Sequence, residues 1–419
     1  MDKHWIRRNL IYRSYMLCKA WLARHSFGRP GGDIIYLGIT GTDGKSTTCG
    51  CLYSILKSAW LNVWIISTVF IDVWVWLVDN KTHMTSLDHR VFRSLIQQAE
   101  QNGITHMIVE SSSHAMYQYR SWPIRFAGAG ITNLTREHLD FHRTMDHYAK
   151  SKAKLFERLL PWSIGIIPMD FAYASLFGAQ SSKSFWYNER ADIFVDHIVQ
   201  DPTLSFDLHI WGEQRHIDSQ LVWTFNCDNI MIAAYLAHMQ WVSVDQISKW
   251  VELYTWLPGR QEIINTTEWI SVMIDFALTP DALATLYAAT RDMWYDRLIA
   301  VVGATGNRDQ TKRPKMAAVA TELCDHVILT EDENYHENGL DIIQQMQAGI
   351  DPDYQYKYEI VQDRTDAIHR WLQLAESGDI VIVTGMANYT TRAMNEWNIP
   401  WNEREVIETQ MRELGIKTL

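Results

Sequence analysis

The stretch LGITGTDGKSTTCG, residues 37–50, combines four glycines, a lysine and a run of hydroxyl side chains. Glycine lets backbone N–H groups approach a phosphate, a helix N-terminus favours its negative charge, and lysine neutralises its outer oxygens. The strict P-loop pattern G-x-x-x-x-G-K-[ST] is incomplete, because Ile39 stands at its first glycine. The spacing therefore predicts a polyphosphate site with a variant loop. A glycine turn before a capped helix is the simpler alternative.

Two further polar clusters follow predicted strands. Glu110 ends the strand in HMIVESSSHAMYQYR (106–120), where its carboxylate could reach a metal bound to the phosphates. His138 lies in ITNLTREHLDFHRTMDHYAKSKAKLF (131–156), and His and carboxylate groups there are plausible Mg²⁺ ligands or neighbours of such ligands. Taken alone, each cluster also fits a solvated loop or the charged face of a helix.

Two clusters in the second half of the chain have the same placement. GATGNRDQTKRP (303–314) is a glycine-containing loop with three cations, which suit a nucleotide or a carboxylate. IDFALTPDAL (274–283) places Asp275 late in a strand and opens a helix with Pro280. The first also fits a basic surface loop, and the second fits simple helix capping.

The elements that must position these groups alternate along the chain. Apolar runs alternate with helical patterns, which is typical of a parallel sheet covered by helices. The window 59–78 is interrupted by polar residues and rich in β-branched residues, so it predicts two buried strands rather than a membrane span. We predict strands at 34–39, 64–70, 106–109, 127–132 and 163–168, and helices at 46–59, 88–102 and 145–159.

A second series begins beyond LPGRQE (257–262) and predicts a separate Rossmann-like domain. Each of its strands is expected to lead through a loop into a helix. Between the two series, residues 192–223 are strand-rich and 226–240 read as a helix. The strands of the second series are predicted at 272–277, 298–304, 326–332 and 379–385.

Length and composition bound the class of protein. A chain of 419 residues with 47% apolar and 21% charged residues is an ordinary globular protein of two or three domains. The net charge of −11 argues against nucleic-acid binding. Five scattered cysteines form no CxxC pair, and no secretory signal is evident, so we expect reduced thiols in a cytoplasmic protein.

The N-terminal segment has a different charge from the rest. Residues 1–30 hold seven Lys/Arg and one acid, so 7 − 1 gives +6. Ile6, Leu10, Leu17 and Trp21 could share one helical face. A basic amphipathic helix can make a weak contact with an anionic membrane surface. The alternative, which we favour, is a helix packed on the body of the protein.

Taken in order, these segments resemble those of the Mur ligases, and most closely the UDP-N-acetylmuramoyl-tripeptide synthetases of the MurE type. The resemblance runs from residue 34 to the end. It implies an α/β fold with a P-loop-containing central domain of mostly parallel sheet and a Rossmann-like C-terminal domain, bounded as 1–32, 33–257 and 258–419. The motifs that carry it are GITGTDGKSTT, MTS (84–86), ESSSHAMYQYR, NLTREHLDFHRTM, FNCDNIMIAA (225–234), LPGRQE, DFALTPDAL, GNRDQTKRP and DRTDAI (363–368).

The resemblance implies an ATP-dependent amide ligase of peptidoglycan precursor synthesis, and so of cell wall biogenesis, cell shape and cell division. In such enzymes ATP phosphorylates a carboxylate, and an amine attacks the acyl-phosphate to give an amide, ADP and phosphate. Two anions must meet, so cations and aimed donors should carry most of the catalysis. The expected partners are a muramoyl-peptide-like carboxylate acceptor and an amino acid, and we expect a monomer.

By resemblance, Lys45 holds the phosphates, Ser46 and Glu110 hold one Mg²⁺, and His138 serves a second. The family pattern Y-x-x-A-K-x-x-L-[FY] selects Lys152 as the carbamoylated lysine, a change that makes an oxygen ligand beside metal. The implied catalytic residues are Lys45, Glu110, His138 and Lys152. The implied ATP-binding residues are Gly41, Thr42, Asp43, Gly44, Lys45, Ser46, Thr47, Asn229, Arg260, Asp275 and Arg308. The implied substrate-binding residues are Thr85, Ser86, Ser112, His114, Arg120, Asp332, Tyr335, Glu337, Gly385 and Tyr389.

Several positions depart from the family pattern. Leu87 replaces the proline of T-T-P, Leu278 replaces a histidine, and GMANY (385–389) replaces the G-K-G-H-E loop. Tyr335 stands where enzymes that select diaminopimelate carry an arginine. An arginine fork grips a carboxylate at two points, and a tyrosine cannot. Recognition of diaminopimelate in the usual way is therefore not expected, and lysine, another diamino acid or a different amine remains open.

The front of the chain also departs. Family members usually begin with a domain that binds the UDP portion of the substrate, and about thirty residues are too few for such a domain. We therefore expect an acceptor that is held without it, or one that is not UDP-linked. The alternatives are an enzyme with another acceptor, like the folylpolyglutamate synthetases, or a nucleotide-binding homologue without ligase activity. Leu278 and Met386 favour the last alternative, and Lys45 and Glu110 oppose it.

Overall fold

The structure is a computed structural model that divides into two compact units, Met1–Thr255 and Trp256–Leu419. The basic segment 1–32, with its predicted helix, lies almost wholly outside the described residues. In the part that is described, no helix is both long and apolar enough to cross a bilayer. The described residues are 14–15, 18, 32–72, 77–79, 85–121, 124–168, 171–178, 183–187, 193–201, 203–293, 295–395 and 397–419.

An eight-stranded sheet, counted over the described residues, forms the centre of the first unit. Its strands are β1 (Ile35–Thr40), β2 (Val63–Ile66), β3 (Phe70–Asp72), β4 (Leu77–Asp79), β5 (His106–Glu110), β6 (Phe126–Ile131), β7 (Leu159–Pro168) and β8 (Lys183–Tyr187). The strand order is β4-β3-β2-β5-β1-β6-β7-β8, parallel from β2 to β8, with β3 and β4 antiparallel at one edge. The central strands β2 and β5 are buried throughout, as expected where helices cover both faces.

Helices connect these strands and begin where the sequence supplies caps. Asp88 caps α2 by accepting from the N–H of Arg90, and Ser243 and Gln246 form a capping box at α8. A short 3₁₀ helix, Phe156–Arg158, precedes β7. The helices of this unit are α1 (Lys45–Ser58), α2 (His89–Gln101), α3 (Ser113–Tyr117), α4 (Leu139–His142), α5 (Met145–Ala153), α6 (Ala174–Gly178), α7 (Asn226–His238) and α8 (Val244–Leu253).

Helix α7 lies directly against β6 because that strand, FAGAGI, carries glycine where the helix approaches. A Cβ atom at Gly130 would come within 2.4 Å of Ile232 Cγ2. Helix α7 is almost completely buried, which explains why its sequence has no polar face. This close packing fixes the position of Asn229, one of the predicted ATP-binding residues.

A small antiparallel sheet of β9 (Ile193–Gln200), β10 (Leu204–Ile210) and β11 (Glu213–Asp218) completes the first unit. Asp207 on the middle strand accepts hydrogen bonds from His197 Nδ1 at 2.9 Å and His216 Nδ1 at 2.7 Å. These bonds raise the pKa of both histidines and lower the pKa of Asp207 to about 2. One carboxylate therefore joins the three strands.

The second unit is built on a six-stranded sheet with the order β12-β13-β17-β14-β15-β16, in which only β12 is antiparallel among the strands described. Its strands are β12 (Glu262–Asn265), β13 (Ser271–Asp275), β14 (Leu298–Val302), β15 (His326–Leu329), β16 (Tyr358–Ile360) and β17 (Ile380–Thr384), with a ribbon of β18 (Thr391–Met394) and β19 (Trp397–Pro400). Its helices are α9 (Pro280–Arg291), α10 (Arg313–Leu323), α11 (Gly339–Gln347), α12 (Arg364–Leu374) and α13 (Glu403–Glu413), with 3₁₀ turns at Gln310–Lys312 and Pro352–Lys357.

Three details of the sequence prediction are wrong. The helix predicted at 145–159 ends at Ala153, because Leu155 and Phe156 pack into the core of the first unit through a 3₁₀ turn that leads into β7. The window 59–78 contains three strands rather than two, since a tight turn separates β2 from β3. Strand β17 leads into the ribbon β18–β19, and α13 comes only after it.

The Asp207 cluster predicts a pH-dependent contribution to stability. Because the pKa values of His197 and His216 are raised in the folded protein, the two protonated histidines stabilise the fold below the unfolded pKa of about 6.5. This stabilisation is lost as the pH rises through the folded pKa values. The lowered pKa of Asp207 stabilises the fold above about 3.9 and is lost as the pH falls towards 2. Asp207→Asn should therefore lower Tm more at pH 5.5 than at pH 9. The matched control is Asp201→Asn in the adjoining turn, and equal losses at both pH values would contradict the prediction.

Candidate active site

The phosphate-binding loop predicted from the sequence lies between the end of β1 and the start of α1. Gly44 is the N-cap residue of α1 and has φ of 78°, a left-handed conformation that favours glycine. A Cβ there would also meet Asn229 Oδ1 at 2.3 Å. Among the described residues, no side chain caps this helix end. The first-turn N–H groups and the helix dipole are therefore available to an anion.

Asn133, just after β6, fixes the shape of the loop. Its Oδ1 accepts from the N–H of Asp43 at 2.9 Å and from that of Thr42 at 3.2 Å. Its Nδ2 donates to the carbonyl of Asp43 at 3.2 Å. On the opposite side, Asn229 Oδ1 accepts from Thr48 Oγ1 at 3.1 Å. The loop is thus held from both flanks, and the Lys45 ammonium folds back to the carbonyl of Thr42 at 2.6 Å.

Glu110 lies at the carboxyl end of β5 and is only 1% exposed. Its carboxylate accepts from Ser46 Oγ at 3.1 and 3.2 Å. It also accepts from the N–H of Thr68 at 2.8 Å and the Thr68 hydroxyl at 2.9 Å. A buried carboxylate requires hydrogen bonds or a cation. Ser46 and Glu110, predicted to share one metal, are therefore in direct contact, and both offer the hard oxygen ligands that Mg²⁺ prefers.

A chain of hydroxyls runs from Glu110 through the predicted substrate-binding residues. Thr85 Oγ1 lies 3.0 Å from Thr68 Oγ1. Ser86 Oγ donates to the carbonyl of Glu110 at 3.2 Å and contacts Ser112 Oγ at 3.3 Å. Arg120 Nη1 donates to the carbonyl of Ser86 at 2.8 Å. The structure thus brings these residues together beside Glu110.

His138 also belongs to this cluster. It has φ of 56°, and its ring centroid lies 4.7 Å from that of His114. It is 36% exposed and its Nδ1 lies 3.7 Å from Glu137 Oε1. A left-handed non-glycine residue is uncommon and tends to occur at functional sites. The imidazole is partly accessible, so that a metal ion could reach it.

Lys152 is the most unusual cation of the site, because it is only 2% exposed. Its Nζ donates to the carbonyl of Gly41 in the phosphate loop and lies 4.6 Å from the centre of the Tyr148 ring. Burial, followed by the nearby charge of Lys45, lowers the pKa of Lys152 well below its usual value. The environment therefore favours the neutral amine, the nucleophilic form, more than water does.

In the second unit, Asp275 ends β13 and closes a turn. Its carboxylate accepts from the N–H of Gln261 at 3.0 Å and that of Ala277 at 2.8 Å. The guanidinium of Arg260 lies 4.1 Å from the centre of the Phe276 ring. Arg260 and Asp275, both predicted to bind nucleotide, therefore lie at one end of this sheet. The Asp275 carboxylate is thus hydrogen-bonded by backbone N–H groups, and its role in nucleotide binding stays a prediction.

A buried acidic group follows β15. Asp332 and Glu333 are 1% and 4% exposed, and burial raises the pKa of both. Asp332 reinforces the effect on its neighbour, which reaches a pKa of about 7. Tyr335 donates its hydroxyl to Glu333 at 3.2 Å. A Cβ at Gly385 would lie 2.7 Å from Asp332 Oδ2, so the late loop passes close by.

The other residues predicted from this region differ in exposure and in hydrogen-bond partners. Arg308 is exposed, and its charge acts on Glu333 and on the half-buried Tyr389. Glu337 is bound to both Nη atoms of Arg313, at 2.7 and 2.9 Å. Its position as a substrate ligand stays a prediction, and the structure provides it with a partner within the chain.

The sequence analysis missed three residues that the site depends on: Thr68, Asn133 and Glu333. Thr68 follows β2 and Asn133 follows β6, so both lie at carboxyl ends of strands, the edge at which ligands bind in such sheets. That position was the available signal. Glu333 lies inside the segment EDENYHEN (331–338), in which only Asp332, Tyr335 and Glu337 were predicted to bind substrate.

Comparison with known proteins identifies the family of this chain. The family model for the Mur ligase middle domain matches residues 39–237, and that for the Mur ligase glutamate ligase domain matches residues 259–387. A UDP-N-acetylmuramoyl-L-alanyl-D-glutamate--2,6-diaminopimelate ligase from Clostridium tetani is 30% identical over 94% of this chain and 80% of its own length. A UDP-N-acetylmuramyl-tripeptide synthetase from Borreliella afzelii is 30% identical over 93% and 79%. A solved structure of a UDP-N-acetylmuramoyl-L-alanyl-D-glutamate--2,6-diaminopimelate ligase matches with a TM-score of 0.63 and 25% identity over 97% of this chain and 83% of that one.

The chain therefore belongs to the Mur ligase family, the ATP-dependent ligases of peptidoglycan precursor synthesis. This confirms the resemblance and the α/β fold class that the motifs predict.

Thr68 provides a test of how Glu110 is held. Thr68→Val removes the hydroxyl that donates to Glu110 and leaves the backbone N–H in place. We expect ADP formation to fall about 10- to 100-fold, the usual effect of losing a group that orients a metal ligand. Nucleotide binding, measured by fluorescence titration with an ATP analogue, should change little. The matched control is Thr105→Val at an exposed position of the same unit, and equal activity in the two variants would contradict the role.

Proposed function

We propose that this chain joins an amino acid to the terminal carboxylate of a muramoyl peptide through an acyl-phosphate. A carboxylate oxygen attacks the γ-phosphorus, the bond to the β-phosphate oxygen breaks, and ADP leaves. The incoming amine then attacks the acyl carbon, phosphate leaves, and the amine proton passes to solvent or a base. The observation that carries this proposal is the convergence of the phosphate loop, Glu110 and Lys152 around the ends of β1, β5 and β6.

In this proposal the loop residues 41–47 and the ammonium of Lys45 bind the β- and γ-phosphates. The uncapped start of α1 supports this role, because its N–H groups and dipole favour phosphate. Residues Thr85, Ser86, Ser112, His114 and Arg120 would position the acceptor beside Glu110. The proposed domain limits, 33–257 and 258–419, assign this work to the first unit, and Arg260, Asp275 and Arg308 would bind nucleotide from the second.

Magnesium fits the residues that are present. Ser46, Glu110 and His138 offer a hydroxyl, a carboxylate and an imidazole, and Glu110 is a buried anion that gains from a cation. Bound there, Mg²⁺ would neutralise phosphate charge, which lowers the repulsion between the triphosphate and the acceptor carboxylate. Ser46 and Glu110 would serve one ion, and His138 a second.

We also propose that Lys152 is carbamoylated. The lone pair of its neutral amine attacks carbon dioxide, an N–C bond forms, and one proton is lost. The lowered pKa of Lys152 supports this, because only the unprotonated amine reacts. The product is an anionic oxygen ligand in a place where a buried ammonium is costly.

Lys152→Ala tests the carbamate. We expect ligation to fall about 100- to 1,000-fold, the range for losing one electrostatic group in an active site, with nucleotide binding retained. Short carboxylates such as acetate should restore part of the rate by occupying the vacated place. The matched control is Lys150→Ala, an exposed lysine on the same helix. Near-normal ligation by the Lys152 variant would refute the carbamate.

For the incoming amine we propose an amino acid with a cationic side chain and no second carboxylate, of which lysine is the simplest. Glu333 is buried with a raised pKa, so a neighbouring ammonium would stabilise its charged form. Asn334 and Asn388 each have a buried Oδ1 without a hydrogen-bond partner among the described residues, and such acceptors suit ammonium donors. Tyr335 lacks the fork that would hold the distal carboxylate of diaminopimelate.

Glu333→Gln tests this assignment. Because a hydrogen bond to a charged group is worth about 1.5–3 kcal/mol, kcat/KM for lysine should fall about 10- to 100-fold. Acceptor-dependent ADP formation is measured with lysine, diaminopimelate and alanine in parallel. The matched control, Glu331→Gln, changes a carboxylate that already bonds Gln362. A wild-type preference for diaminopimelate would overturn the assignment of the amine and leave the proposed ligase reaction standing.

A further inference from the structure

Five tryptophans have a left-handed backbone: Trp60, Trp211, Trp223, Trp241 and Trp269, with φ between 48° and 66°. They make up five of the fourteen non-glycine residues with positive φ in the described part of the chain, whereas tryptophan accounts for only 19 of its 419 residues. A bulky side chain in this conformation is a genuine outlier. The enrichment therefore needs a cause that is specific to tryptophan.

Trp60 and Trp241 end helices in the same way. Trp60 lies two residues beyond the last residue of α1, and Trp241 lies three residues beyond the last residue of α7. The N–H of each tryptophan bonds to the carbonyl three residues earlier, and the next N–H bonds to the carbonyl five residues earlier. This is the Schellman motif, whose left-handed residue is usually glycine. The two side chains are 93% and 96% exposed, so no packing offsets the strain.

Trp211 and Trp269 occupy two different hairpin turns. Trp211 and Gly212 form the two-residue turn between β10 and β11, with φ of 48° and 82°. Positive φ at both positions defines a type I′ turn, which takes asparagine, aspartate or glycine first. Trp269 lies in the connection between β12 and β13, where the Thr266 N–H bonds to the Ile270 carbonyl at 3.1 Å and encloses the three-residue loop 267–269. The N–H of Trp269 bonds to the Thr266 carbonyl at 3.2 Å, and the left-handed last position of such a three-residue loop again favours glycine.

Trp223 adds an interior case. It has φ of 63° and no exposure, and its indole N–H is buried without a hydrogen-bond partner among the described residues. It lies three residues before α7, the helix that carries Asn229 to the phosphate loop. The five positions lie in two helix ends, two hairpin turns and one buried loop. What they have in common is a tryptophan in the sequence and a left-handed backbone that suits glycine.

We propose that the codon behind these five tryptophans is decoded as glycine in the cell that makes this protein, so that the native polypeptide has no indole there. UGA is the codon that fits. It differs by one base from the glycine codon GGA and by one base from the tryptophan codon UGG, and its assignment varies between organisms. A single reassigned codon accounts for all five positions at once.

Trp371 serves as the internal control. It lies within α12 in a regular helical conformation and is fully buried in the core of the second unit. Trp371 differs from Trp223, which is also fully buried, because its backbone is not left-handed, and a glycine inside α12 would destabilise the helix and leave a cavity. This tryptophan is genuine in our proposal, so the gene should carry UGG at position 371 and UGA at positions 60, 211, 223, 241 and 269. UGG at the five positions would overturn the proposal.

Peptide mass spectrometry of the protein from its own cells gives the direct readout. Peptides that span the five positions should be lighter by the mass difference between tryptophan and glycine residues, and the peptide with Trp371 should not. Tryptophan masses at the five positions would overturn the proposal whatever the codon.

The recombinant chain gives an independent measurement. Relief of left-handed strain in Trp60→Gly, Trp211→Gly, Trp241→Gly and Trp269→Gly should raise Tm by about 2–4 °C each. Trp371→Gly should lower Tm through its cavity. A fall in Tm for all four exposed variants would count against the proposal, because the indoles would then be stabilising their turns.

Discussion

The first unit depends on keeping an anion and an amine buried near one phosphate loop. Glu110 and Lys152 are both almost inaccessible to water. Among the described residues, the Glu110 carboxylate accepts from hydroxyl and N–H donors, and the Lys152 amine donates to the Gly41 carbonyl. Such groups lose hydration that few hydrogen bonds replace. In the reaction that we propose, a bound metal ion would restore charge balance at Glu110, and carbamoylation would avoid a buried ammonium at Lys152.

The same constraint explains which parts of the site could be predicted from the sequence. Glycines, Lys45, Ser46 and Glu110 are tied to a chemistry that fixes their spacing, so motif and strand position found them. Thr68 and Asn133 act only through hydrogen bonds that hold Glu110 and the phosphate loop. Another hydrogen-bonding residue at a different position could make such bonds, so no sequence motif marks these two residues. The strands were predictable because buried parallel strands are continuously apolar. The end of α5 could not be predicted, since residues 154–160 contain no glycine or proline to mark it.

In the second unit, burial again decides the chemistry. Arg364 and Glu403 form a fully buried ion pair, and the Arg364 Nη2 also donates to the Thr384 carbonyl at 2.7 Å. Burial raises the pKa of both Asp332 and Glu333, and the charge of Arg364 opposes this effect at Asp332. Glu333 accepts from the Ala393 N–H and from the Tyr335 hydroxyl, both at 3.2 Å, and its pKa still reaches about 7. A neighbouring cation would stabilise the charged form of Glu333, which is why we propose a cationic side chain for the incoming amino acid.

Backbone strain separates two kinds of position in this chain. His138, Tyr335, Asn307 and Ala387 have positive φ and all lie in the segments predicted to do chemistry, where strain is expected because the site fixes the backbone. Trp60, Trp241 and Trp269 have the same backbone at exposed turns, where no ligand or packing would hold an indole in place. The function that we propose would explain the strained backbone of the first set. The left-handed backbone of the second set follows from the geometry of the turns alone, and that geometry favours glycine.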